Sequence, residues 1–87
     1  MVQRNSHLEP FVRDKLFGSV YDSLKHRNTA LSDATALTDT IVGKVIKHVN
    51  NGNIQRDTLT SVGYDVLKRF DKTAAIFYAA YHPSKAT

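Results

Sequence analysis

The stretch M-V-Q-R-N-S-H-L-E-P-F-V-R-D-K-L, Met1 to Leu16, decides how the rest of the chain is read. Met1 to Arg4 is short and partly apolar, Asn5-Ser6-His7 carries turn chemistry, and Leu8-Glu9 resumes an extended path. Asn tolerates a left-handed backbone and Ser can hydrogen-bond its own main chain, so the stretch predicts a tight β-hairpin. Pro10 biases Glu9 toward an extended conformation and fixes its own φ near the value a helix start accepts, which predicts a helix from about Phe11 or Val12. Leu16, Phe17, Val20, Tyr21 and Leu24 then recur at three- and four-residue steps and make one apolar face. Arg4, Glu9 and Lys15 are left as polar groups where hairpin meets helix, a place for a binding site.

Downstream, the first helix is expected to end near His26-Arg27-Asn28, where basic residues suit the negative end of the helix dipole. Ser32 is the expected N-cap of a second helix, with Asp33 in its first turn and Ala34, Leu37, Thr38, Ile41, Val45, Ile46 and Val49 on its apolar side. Asn50-Asn51-Gly52-Asn53 supplies residues that accept a left-handed helix cap, and Ile54 is expected to tuck into the core. Leu59, Val62, Gly63, Val66, Leu67 and Phe70 form the clearest helical repeat, starting around Asp57. Gly63 costs about 1 kcal/mol relative to Ala inside a helix, which predicts a neighbouring helix passing close by. Asp71-Lys72 makes a tight connection to a last helix carrying Ala74, Ala75, Ile76, Tyr78, Ala79 and Tyr81, and Pro83 stops it. The expected fold is an α-rich α+β domain over residues 1–83, an N-terminal β-hairpin capping a bundle of about four helices, with 84–87 a flexible tail.

Composition bounds the function. The 87 residues suffice for one domain with one small core. Cysteine is absent, which excludes a disulfide framework, a thiolate nucleophile and a Cys-type zinc site. No apolar run approaches the roughly 18 to 20 residues of a membrane span and no signal-peptide pattern follows Met1, so a cytoplasmic protein without a membrane partner is expected. A net charge of +4 favours anionic partners without choosing among nucleotide, nucleic acid and acidic protein, and it equally suits plain solubility. The second helix carries Lys44, Lys47 and His48 on its polar side, where a solvated face is the simpler reading. His7, His26, His48 and His82 are spaced too widely for a helical metal pair, so no metal site is expected. No Ser/His/Asp order has a supporting motif, and the charged residues are assigned to binding rather than catalysis.

From Met1, Gln3, Arg4, Asn5 and Ser6, followed by Glu9, Phe11, Asp14, Lys15 and Leu16, the chain resembles the ATP-cone domain. That family stands at the front of many ribonucleotide reductases and behind a zinc ribbon in the bacterial repressor of reductase genes. It opens V-x-K-R-D/N-G, continues with E and then F or I, and closes with D/E-K-I/L. The resemblance runs over nearly the whole chain, with Ile54 to Phe70 similar to the family's third helix and Asp71 to Tyr81 to its last. Gln3 stands in place of a lysine, Ser6 in place of the turn glycine, and Ala75 and Phe77 where the family has tyrosine and arginine.

The resemblance implies a non-catalytic regulatory module that binds ATP or dATP, with or without Mg, and controls association or a partner such as a ribonucleotide reductase or a transcription regulator. Arg4 and Lys15 would supply cations to the phosphates, beside Gln3. Glu9 would lie on the nucleoside side, since a carboxylate repels phosphate. Val2, Leu16 and Ile54 would give apolar contact to the base, and Arg56 falls at a phosphate or sugar contact. Read without the family, Lys15 equally covers apolar surface with its stem and Glu9 shapes the turn. The alternatives are a helical interaction module with a degenerate nucleotide site and a small nucleic-acid-binding domain. DNA binding is not expected of this chain alone, and homo-oligomerisation is left open.

Overall fold

Pro10 and the Asn50–Asn53 cluster mark the two places where the chain turns between extended and helical structure. The computed structural model describes residues 8–82. Its elements are β1 (Leu8–Pro10), α1 (Arg13–Ser23), α2 (Ala30–Val45), a single 3₁₀ turn (Ile46–His48), β2 (Asn53–Gln55), α3 (Arg56–Phe70) and α4 (Lys72–Tyr81). The architecture is α-rich α+β, an antiparallel two-stranded ribbon set against four helices. β1 pairs with β2 in the register Leu8↔Gln55, Glu9↔Ile54 and Pro10↔Asn53. The expected opening strand, Met1 to Arg4, and its turn lie outside the described residues.

The Asn/Gly cluster works as a hairpin turn rather than a helix cap. Asn50 and Asn53 exchange backbone bonds of 2.8 and 2.9 Å. Between them Asn51 and Gly52 hold φ of 53° and 79°, and positive φ at both central residues defines a type I′ turn, whose twist suits the flanking extended segments. The left-handed conformation read from the sequence is there, but it serves β2. Gly52 also accepts the Phe11 N–H at 2.8 Å and so ties the turn to the junction of β1 and α1. A Cβ at Gly52 meets nothing within 4 Å, so Gly52→Ala is expected to cost about 1 to 2 kcal/mol from conformation alone. Urea unfolding would show this as a lower midpoint with an unchanged slope.

The helix limits differ from expectation where side chains find distant partners. α2 begins at Ala30 rather than after Ser32. Thr29 closes its first turn by accepting the Asp33 N–H on its carbonyl at 2.9 Å, and its hydroxyl donates to Asp33 Oδ2 at 2.6 Å. α1 ends at Ser23, short of His26. His26 and Arg27 instead reach Asp71, with Nε2 to Oδ2 at 3.1 Å and Nη1 to Oδ2 at 2.9 Å, and Arg27 Nε also bonds Asp33 at 3.0 Å. Asp71 is at the same time the N-cap of α4, accepting the N–H groups of Thr73 and Ala74 at 2.9 and 3.2 Å. One carboxylate therefore joins the α1–α2 connection to the α3–α4 connection.

The core collects the apolar faces read from the helical repeats: Leu16, Val20 and Leu24, then Ala34, Ile41 and Val45, then Leu67, with Ile54 entering from β2. Ile46 is 55 % exposed, because α2 stops at Val45 and the 3₁₀ turn carries the next residue out of the helical register. Gly63 has the close neighbour its cost predicts: a Cβ there would lie 2.5 Å from Tyr78 Oη. The Tyr78 ring, only 1 % exposed, is the point where α4 crosses α3.

Candidate functional site

β1, the first turns of α1 and α3, and the last turn of α4 surround a cleft of about 370 Å³. The strand contributes Glu9 and Pro10, α1 and the residue before it contribute Val12, Lys15, Leu16 and Ser19, α3 contributes Arg56, Leu59 and Thr60, and the end of α4 adds Tyr78, Tyr81 and His82. The ribbon explains part of this convergence. Glu9 opposite Ile54 brings β1 within reach of the residue that opens α3, and Arg56 Nε lies 3.4 Å from Glu9 Oε1. At that distance, beyond the usual N–H···O range, the contact is an ion pair with slack rather than a tight hydrogen bond. Lys15 forms no ion pair among the described residues, whereas its neighbour Arg13 bonds Asp39 on α2.

Both helices that open onto the cleft start without a side-chain cap. The residues before them, Val12 and Gln55, are extended and offer no side-chain oxygen to the first turn. The first N–H groups of α1 and α3 therefore lack a side-chain acceptor and favour negative charge, part of which Asp14 and Asp57 supply from the first turns. α4, by contrast, is capped by Asp71.

At the other wall the electrostatics follow burial. The Tyr78 hydroxyl is pushed up to about 12 by burial first and then by the Glu9 carboxylate. Burial pushes the His82 imidazole down, with Glu9 pulling it up and Arg56 pushing it further down, so it is neutral near pH 7. Its ring tilts against Tyr78 with centroids 4.5 Å apart, and its Nε2 is enclosed without a hydrogen-bond partner among the described residues. The cleft thus carries two cations and one carboxylate on its strand and helix-start side, and aromatic rings with a neutral imidazole on its α4 side.

Of the residues read from the sequence, Glu9, Lys15, Leu16 and Arg56 line this single cleft. Leu16 is 4 % exposed and presents only an edge. Ile54, expected against a base, is fully buried in the core and is not part of the cleft lining. Val2, Gln3 and Arg4 lie outside the described residues. Tyr78, Tyr81 and His82 were not read as site residues. The aromatic content of α4 and the i, i+4 spacing of Tyr78 and His82 were the available signals, but only the crossing of α4 over α3 aims them at the cleft.

Among the described residues no group of three or more His, Cys, Asp or Glu side chains is placed to hold a metal ion. No helix among them is long and apolar enough to cross a membrane. No protein-family model matches the chain, and no solved structure matches it.

Proposed function

We propose that the domain is a non-catalytic regulatory module that takes ATP or dATP in the cleft between β1, α1, α3 and α4. Nucleotide there would change the domain's self-association or its contact with a larger partner. The observation that supports this reading is that Glu9, Lys15, Leu16 and Arg56, distant in sequence, converge on one cavity. Its volume of about 370 Å³ falls within the range of small-molecule sites. Lys15, Arg56 and the uncapped starts of α1 and α3 suit a triphosphate, with or without Mg. Glu9 would steady Arg56 and accept hydrogen bonds from the nucleoside, while Tyr81 offers aromatic surface to the base.

The test is a thermal melt with ATP or dATP. Ligand at 100 times its dissociation constant stabilises the folded state by about 2.7 kcal/mol, which for a domain of this size raises the midpoint by about 10 °C or more. Lys15→Ala removes a charge-assisted contact of about 1.5 to 3 kcal/mol and is expected to abolish most of the shift. Lys15 is exposed, so the melting point without ligand should stay within a few degrees. An equal shift in the variant rules out this cleft as the site.

A second reading, a helical interaction module with a degenerate nucleotide site, is favoured by the outer side of α4. Ile76 and Phe77 are 64 % and 40 % exposed there. Absence of any shift with either nucleotide would select it.

A further inference from the structure

Asn51 and Gly52 have a chemistry of their own. Asn51 is exposed and the only asparagine followed by glycine; Asn5, Asn28, Asn50 and Asn53 precede Ser6, Thr29, Asn51 and Ile54, whose side chains shield the following peptide nitrogen. The turn's backbone bonds run between Asn50 and Asn53, and among the described residues the Gly52 N–H takes no part in them. The space around Gly52 is open, with nothing within 4 Å of the position a Cβ would occupy.

We infer that Asn51 is a site of spontaneous modification, converting in the folded protein through a five-membered imide to isoaspartate and aspartate. The Gly52 nitrogen gives up its proton to solvent base and bonds to Asn51 Cγ; the Cγ–Nδ2 bond then breaks and Nδ2 leaves as ammonia with a proton from water. Water next adds to the imide. Opening at the main-chain carbonyl gives isoaspartate and opening at Cγ gives aspartate, so the balance is amide plus water to carboxylic acid plus ammonia.

Backbone geometry makes the folded turn permissive. The imide ring holds ψ of its first residue near −120°, the value at the first central position of a type II′ turn, which shares with type I′ a φ of about +60° there. Asn51 already has φ 53°. A flip of the Asn51–Gly52 peptide interconverts the two turns, both of which suit a hairpin, and Gly52 accepts positive φ before the flip and negative φ after it. The ring can therefore close without parting Asn50 from Asn53.

Isoaspartate routes the main chain through Cγ and lengthens a two-residue turn by one methylene. The Gly52 carbonyl then cannot both hold the Phe11 N–H and keep Glu9 opposite Ile54. The converted protein is expected to melt about 4 to 8 °C lower.

The experiment incubates the full chain at mildly alkaline pH, native and in denaturing urea, and maps its peptides by mass. The expected result is ammonia release with exchange of NH2 for OH confined to Asn51, isoaspartate as the main product, and a native rate close to the denatured one. Asn51→Asp, which type I′ turns accept, leaves Asn50 followed by a side chain and is expected to release no ammonia through the incubation. A native rate more than about tenfold below the denatured rate, equivalent to about 1.4 kcal/mol of added barrier, overturns the inference. So does absence of conversion in the native chain, or conversion at Asn28 or Asn50 as fast as at Asn51.

Discussion

Gly63→Val is expected to destabilise the domain by about 3 kcal/mol, the upper end for forcing extra carbon into a packed interior. The cause is contact rather than backbone. A Cβ on residue 63 would sit 2.5, 2.7 and 2.9 Å from Tyr78 Oη, Cζ and Cε2. The ring is 1 % exposed, so displacing it disturbs the packing around it. Gly63→Ala places the same Cβ but recovers about 1 kcal/mol of helix propensity, so its net cost is expected to be smaller, about 1 to 2 kcal/mol. Tyr78→Phe deletes the closest atom. A double-mutant cycle in urea should therefore show Gly63→Ala costing about 1 kcal/mol less in the Tyr78→Phe background, the size expected for residues in contact. If Gly63→Ala raised the midpoint of the wild-type chain, the close crossing of α3 and α4 would be refuted.

Asp71→Ala is expected to remove about 2 to 3 kcal/mol, since it deletes an N-cap worth about 1 kcal/mol and leaves Arg27 and His26 without a shared carboxylate. Asp71→Asn separates the two effects, because Asn caps a helix as well as Asp does; it should recover about 1 kcal/mol of the loss. The carboxyl of Asp71 is held down to about 2, by the His26 hydrogen bond foremost, then by Arg27 and by the N–H groups of Ala74 and Thr73, against an opposing effect of burial. A carboxylate whose folded pKa lies below its unfolded value stabilises the fold above the unfolded pKa. That stability drains away as pH falls from about 4 to about 2. A fully shielded carboxylate with this shift would contribute about 2.6 kcal/mol; with Arg27 35 % and His26 30 % exposed, solvent screening reduces it to on the order of 1 to 2 kcal/mol. Asp33, held low by the Thr29 hydroxyl and then by Arg27, adds a dependence of the same sign. Acid titration of stability should thus be shallower in Asp71→Asn than in the wild type between these pH values. Parallel curves would mean that Asp71 is not coupled to Arg27 and His26.

The exposed pair Arg13–Asp39 is expected to matter much less than the Asp71 network, because its side chains are 46 % and 63 % exposed and, among the described residues, each pairs only with the other. Arg27, by contrast, bridges two carboxylates and lies over Phe70, 4.6 Å from the ring centroid. This arrangement sits at the connections between helices, where the sequence offered only basic residues near a helix end.

Local order was written in the chain and long-range order was not. The three- and four-residue repeats of Leu16, Val20 and Leu24 and of Leu59, Val62 and Val66 specify helices and the faces they turn inward, since a helix places such residues on one side whatever lies opposite. Gly63 announced a close crossing because its helical cost needs a compensating contact. The positive φ of Asn51 and Gly52 was legible from residue type, whereas the use made of it depended on whether the following segment found a strand to pair with. That pairing joins Glu9 to Ile54 across the whole of α1 and α2, and no local pattern encodes it. The same holds for Asp71 reaching back to His26 and Arg27, and for Tyr78 and His82 arriving beside Glu9 and Arg56. Residue type fixes what a side chain is able to do and the repeat fixes which way it faces on its own helix. Which groups meet across the cleft is settled only when the helices pack, because those meetings depend on contacts between segments that the intervening chain leaves free to choose their neighbours.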